Sequence, residues 1–260
     1  MTSKNFALLI SLASRDIEKR YKDSIVGAAW GFIVPLIMLA IYTAIFSSIF
    51  GAKWGGIPVK NHTDYAVLLF VGLIIYTIFA EAVTRAPTAI LGNANLVKKV
   101  VFPLEVLPAV VVLSCLYNAM IASVALLIFL AFSSFGLHWQ ALGLPILLIP
   151  FAALTLGVVY LFASLGVFFR DVDQMAALIV RVLQYLTPVL YPSVIFPESI
   201  GVWMRLSPLA IYVEQIRALV VFGQWPLWPQ FAWAVGCSFA MLGFGWWWFQ
   251  RTRRAFADVV

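Results

Sequence analysis

Long apolar runs with almost no charge decide which folds are open to this chain. The hydrocarbon core of a bilayer is about 30 Å thick, and a helix needs roughly 20 apolar residues to cross it. Six stretches reach that length: residues 27–50, 65–84, 106–132, 142–169, a fifth that starts near Met175 and dissolves into prolines at Pro188 and Pro192, and 228–249. Backbone N–H and C=O groups inside lipid must be satisfied within the segment, which makes each run a helix. Composition agrees, since 63% of the 260 residues are hydrophobic and 11% are charged. Soluble domains average about 45–50% apolar and about 25% charged residues. The expectation is an all-α, polytopic membrane protein with six transmembrane helices, forming one transmembrane domain over residues 1–260.

Charge placement orients the bundle. With the N-terminus inside, 13 of the 17 Lys and Arg residues fall on the cytoplasmic side, and only Lys53, Lys60, Arg205 and Arg217 fall outside. The positive-inside rule selects this arrangement, with both termini cytoplasmic. The net charge of +6 is therefore read as membrane topology and not as a nucleic-acid surface. Trp54, Trp139, Trp225 and Trp228 fall near the outer ends, as an interfacial aromatic belt would. Lys4 followed by FALLISLAS has a faint signal-peptide outline, but its basic region is thin and Arg15 to Lys22 follow at once. Residues 1–26 read better as an amphipathic helix on the inner surface. Phe6, Leu9, Ile10, Ala13 and Ile17 recur at helical spacing, with Arg15, Lys19 and Lys22 for a polar face. That polar face could also meet a cytoplasmic partner.

The chemistry the sequence lacks is informative. No GxxxxGK[ST] phosphate loop is present, nor HExxH, CxxC or GxSxG, so neither nucleotide hydrolysis by that route nor a metal or cofactor is expected in this chain. Cys115 and Cys237 lie in apolar runs, and His62 and His138 lie in or next to outer loops. Glu81 is the acidic exception within a span, and Arg85 one turn later reads as its i,i+4 partner. So few intramembrane carboxylates argue against a proton relay and for an external energy source.

Candidate pathway residues are Tyr42, Phe46 and Phe50 in the first span, and Gln184, Tyr185, Thr187 and Tyr191 where the fifth breaks. Aromatic faces stack on sugar rings and tyrosine hydroxyls bond hydroxylated solutes, although helix packing would use the same residues. Gly27 to Gly31 form a GxxxG, GAAWG, that permits close helix approach. In the outer stretch, residues 188–220, Pro188, Pro192, Pro197 and Pro208 alternate with apolar runs. This suggests two short helices dipping back into the outer leaflet between spans five and six, with Glu214 and Arg217 on a polar stripe of the second; a packed surface loop is the alternative. A membrane-embedded enzyme would need converging acids or histidines, for which Asp171 and Asp173 are the nearest candidates.

Three segments carry a family resemblance: SRDIEKRYKDSIVGAAWGFIVPLIMLAIYTAIFSSIF at 14–50, NANLVKKVVFPLEVLP at 93–108 and FRDVDQM at 169–175. Over nearly its whole length the chain resembles the permease subunit of type-2 ABC exporters that move lipid-linked bacterial polysaccharides such as O-antigen. A basic residue is expected before the glutamate of the second segment, where Leu104 stands instead. The resemblance implies a cytoplasmic coupling helix at 93–105 docking on a separate ATPase subunit, with Asn93, Asn95, Lys98, Lys99, Phe102 and Pro103 as its residues. Read from the residues, Asn93 or Asn95 can cap that helix and Pro103 can end it. The resemblance further implies an interface helix with Arg15, Lys19 and Arg20, a channel near Tyr42, Phe46, Phe50, Tyr185 and Tyr191, and an outer gate at Pro192, Pro197 and Pro208. It implies a homodimer with two ATPase subunits that bind ATP and Mg, in the bacterial inner membrane. Export of teichoic acid or capsular polysaccharide, or a lipid-linked glycosyl or phosphate transferase, are the alternatives.

Overall fold

The computed structural model describes residues 3–21, 27–50, 53–55, 57–97, 102–195 and 197–256. In chain order its helices are α1 (Ser3–Tyr21), α2 (Trp30–Phe50), α3 (His62–Arg85), α4 (Thr88–Leu91), α5 (Ala94–Val97), α6 (Val106–Phe132), α7 (Leu144–Phe168), α8 (Val172–Leu186), α9 (Glu198–Leu206), α10 (Pro208–Phe222) and α11 (Trp228–Thr252). Between α2 and α3 a small hairpin pairs β1 (Lys53–Trp54) antiparallel with β2 (Ile57–Pro58).

A helix that is apolar on every side belongs in an interior, and α3 fits that rule. It is buried from Asp64 through Gly72 and over most of its remaining length, with α2, α6, α8 and α10 around it. Its N-terminal end is fixed by the buried Asp64 carboxylate, which accepts from Lys60 N at 3.1 Å and from Ser134 N and Ser134 Oγ at 2.7 Å each. These bonds staple the start of α3 to the segment following α6. Charge-assisted bonds to backbone and hydroxyl donors let a carboxylate remain buried.

Close helix contact is seen at Gly157 and Gly245, while the surroundings of Gly31 in GAAWG lie outside the described residues. At Gly27 the φ of +54° demands glycine for a turn that leads through a 3₁₀ turn, Gly27–Ala29, into α2. The tight crossing is that of α7 with α11. A Cβ on Gly157 would stand 2.6 Å from the Met241 carbonyl oxygen, and one on Gly245 would run into the Gly157 carbonyl. Small residues that let backbones touch are the usual means of packing helices where water supplies no driving force.

Among the described residues three helices are long and apolar enough to cross a membrane: α3, α6, and the continuous stretch Trp139–Phe168 that contains α7. Helix α2 contributes the apolar piece Phe32–Ile45. Helix α11 has 25 residues but is diluted by tryptophans and glycines. Helix α8 has 15 residues, which at 1.5 Å per residue cover about 22 Å, less than the ~30 Å core. It is amphipathic: Val172, Ala176 and Val180 are buried, while Asp173, Gln174 and Arg181 form an exposed polar face.

One expectation for the outer region is overturned. Arg217 does not lie on a polar stripe of α10; it is only 4% exposed. Its Nε donates to Leu68 O at 2.9 Å and its Nη2 to Pro188 O and Val189 O at 3.0 and 3.1 Å, with the Trp54 ring 5.0 Å away. Spacing to Glu214 suggested an exposed face, but α10 is wrapped by α3, α7 and α11, so Arg217 turns inward to bare carbonyls.

Candidate functional site

Helices α2, α3 and α6, the end of α1 and a residue of α8 enclose a cavity of about 360 Å³. Its walls are mostly apolar, with Trp30, Pro35, Met38, Phe70 and Ile74 among them. Polar groups sit on this background: Tyr42 from α2, Thr77 and Glu81 from α3, Asn118 from α6, Gln184 from α8 and Arg20 from α1. Glu81 is the hub. It accepts from Arg20, from Arg85 Nη1 at 3.5 Å and from Asn118 Nδ2 at 3.4 Å. Arg85 Nη2 also reaches Asp16 Oδ2 at 2.6 Å. Asp16 and Arg20 lie one turn apart on α1, as do Glu81 and Arg85 on α3, and the two pairs cross-connect in antiparallel order. Helix α1 is thereby tied to α3 by charge, while Ala13 packs on Val106 and Val110 of α6.

Helix α1 matches the amphipathic reading with a shifted face. Ala13 is buried, Leu9 and Ile17 are half-buried, and Phe6 and Ile10 are exposed. Arg15 and Lys19 are exposed, whereas Arg20 is drawn to Glu81.

The expected pathway residues divide. Tyr42 and Gln184 reach the same cavity. Phe46 and Phe50 continue along α2, and their side chains lie outside the described residues. Tyr185 is exposed near the C-terminal end of α8, and Tyr191 donates its hydroxyl hydrogen to the Tyr185 carbonyl, so these two brace the break after α8 and do not line the cavity. Of the prolines, Pro192 is buried beneath the hairpin, where a Cβ on Gly55 would lie 3.2 Å from it. Pro197 precedes α9 and is exposed. Pro208 opens α10 behind Ser207, whose Oγ accepts from Ala210 N at 3.5 Å.

Beyond its C-terminal end, α3 leads through α4 to α5. Asn93 precedes α5, but its Nδ2 donates back to Ala89 O at 2.9 Å, so the side-chain amide serves the end of α4. Asn95 is exposed. Lys98 and Lys99 lie outside the described residues. Phe102 then packs into a separate cluster with Ile90, Leu107, Tyr160, Phe249 and Phe256. Pro103 O accepts from Val106 N at 3.0 Å, starting α6. Glu105 anchors the same point, its carbonyl taking the Tyr160 hydroxyl at 3.0 Å and its carboxylate lying 3.5 Å from Arg253. The segment is thus rooted in the C-terminal ends of α7 and α11. Asp171 and Asp173 are exposed at the turn into α8, and among the described residues no three His, Cys, Asp or Glu side chains come together to hold a metal.

Sequence reasoning missed Asp16, Asn118 and Thr77. Asp16 and Arg20 carry a local signal, an i,i+4 pair, but it points along α1 and not across to α3.

Residues 7–221 match the family described as ABC-2 type transporter. The chain belongs to this family. Three relatives of this ABC-2 chain are named O-antigen export system permease protein RfbA. Two, from Klebsiella pneumoniae, are each 30% identical over 220 residues, covering 84% of this chain and 82% of the relative. The third, from Myxococcus xanthus, is 28% identical over 215 residues, covering 82% and 79%. Both the interface helix and the inner segment 93–105 fall within the matched ABC-2 region, apart from the first residues of α1.

Proposed function

We propose that this chain is the permease of an exporter that carries lipid-linked O-antigen polysaccharide across the bacterial inner membrane, driven by ATP hydrolysis on a separate subunit. The observation that carries the reading is the likeness, over more than four-fifths of both chains, to proteins named O-antigen export system permease. The amphipathic cavity with Tyr42, Thr77, Asn118 and Gln184 supports it, since hydroxyls and amides beside an aromatic ring suit a hydroxylated polymer better than a purely apolar solute.

On this reading the chain crosses the membrane six times with both termini cytoplasmic, and α9 and α10 form the outer gate with Pro192, Pro197 and Pro208. Two copies pair around a conduit. Two ATPase subunits bind ATP and Mg and grip the inner segment 93–105, where Lys98 and Lys99 offer cations and Phe102 and Pro103 transmit the movement to α6. Arg15 and Lys19 of the interface helix face the same partner.

Deletion of the gene tests the reading. Surface glycan is expected to disappear and lipid-linked polymer to accumulate inside the cell, both reversed by the intact chain. Unchanged surface glycan overturns it. Loss of capsule or teichoic acid with O-antigen intact reassigns the polymer.

A further inference from the structure

Helix α8 ends at Leu186, and the chain then runs irregularly through residues 187–190, all of them buried. Pro188 removes one donor from this stretch. Irregular backbone at membrane depth persists only where protein or trapped water satisfies its polar groups. Here the satisfying group is Arg217. One guanidinium bonds Leu68 O on α3 together with Pro188 O and Val189 O in the break, which joins α10 to two elements far from it in sequence. Among the described residues Arg217 takes part in no ion pair. Glu214, three residues earlier on α10, acts on it only from beyond ion-pair distance; a buried cation is costly unless its donors are used, and the planar fork of arginine matches these carbonyls where a lysine would supply only a point charge.

Gly72 is an independent second part. It lies one turn beyond Leu68 on α3, and a Cβ there would collide with Arg217 Nη2 and stand 2.9 Å from Val189 O. The absence of a side chain at position 72 is what lets the break and the guanidinium lie on α3 together.

We propose that Arg217 and Gly72 form a latch that holds the unwound segment 187–190 shut against α3, and that opening this latch frees the outer end of α8 with Tyr185 and Tyr191. Both are positioning residues: they act on the segment and not on any transported molecule. Their place in a transport cycle rests on the permease reading above, whereas the latch itself does not.

The test is thiol accessibility in right-side-out membrane vesicles containing the full chain with its ATPase subunit, in a background with Cys115→Ala and Cys237→Ala. Leu190→Cys, at a position 3% exposed, reports the segment, and Ala234→Cys, at a position 0% exposed near the start of α11, reports the bundle at the same end. A membrane-impermeant maleimide is expected to label Leu190→Cys slowly. Addition of Gly72→Ala or Arg217→Met is expected to raise that rate at least tenfold, and Arg217→Lys to give an intermediate rate, with Ala234→Cys unreactive throughout. Methionine is similar in length, so a parental rate in Arg217→Met reduces Arg217 to space filling and overturns the latch. A rate unchanged by Gly72→Ala, or reactivity of Ala234→Cys rising in step, overturns it equally. Glycan export read in the same vesicles reports the permease function separately, so a failure of either can be told from a failure of the other.

Discussion

Glu81 shows how much one side chain can hold together where three helices meet. It is half-buried and takes donors from Arg20, Arg85 and Asn118, that is, from α1, α3 and α6. Hydrogen bonds to charged groups contribute about 1.5–3 kcal/mol each in partly buried settings. Glu81→Gln keeps the shape but removes the charge, and is expected to lower the unfolding temperature of the purified protein by several degrees; an unchanged melting curve would mean the cluster is screened at the membrane surface. Tyr42 makes the complementary test. Tyr42→Ala is expected to slow glycan export several-fold while membrane abundance, read by immunoblot, falls little; equal export would reduce it to a packing residue. At this scale the sequence was only partly legible. Tyr42 and Gln184 stood out because polar and aromatic groups are conspicuous within apolar runs. Asp16 and Arg217 were hidden because their partners, Arg85 and the carbonyls near Leu68 and Pro188, are supplied by the tertiary fold.

Among the elements, α6 has the bounds that hydropathy predicts, Val106–Phe132, because a charged segment precedes it and a polar turn follows. The α8 region was less legible: an apolar run reads as a span whether or not it is long enough, and only the break at residue 187 reveals a shorter, amphipathic helix. The α7–α11 crossing depends on two glycines too ordinary in such helices to be singled out beforehand. Gly157→Leu puts a branched side chain where a single Cβ already meets the Met241 backbone at 2.6 Å. Over-packing of this kind costs about 1–3 kcal/mol or more, and the variant is expected to aggregate on extraction or to melt well below the parent in a detergent thermal-shift assay. Parental melting would show that the two helices separate freely. The inner segment is tested by reversing charge. Lys98→Glu combined with Lys99→Glu is expected to leave membrane insertion intact and abolish surface glycan, because two cations offered to a partner become two anions. Normal surface glycan in the double variant would remove the segment from coupling.

For the whole molecule, the class of fold was fixed by apolar length and its orientation argued from basic residues, both properties that survive without knowledge of any contact. What the sequence could not carry is the pairing of elements: that α3 lies at the centre, that α1 is clasped to it by crossed ion pairs, and that α10 turns a cation inward. These depend on which helices become neighbours, and hydropathy is silent on that. The proposed account divides labour between chains, with this one shaping the route and another supplying the energy. Reconstitution of the purified chain in vesicles, with and without its candidate ATPase subunit, tests that division most directly by following ATP hydrolysis and the movement of lipid-linked glycan together. The account predicts neither hydrolysis nor movement with this chain alone, and glycan-stimulated hydrolysis with directional movement when both subunits are present. Hydrolysis by this chain unaided, or directional movement without the second subunit, would contradict it.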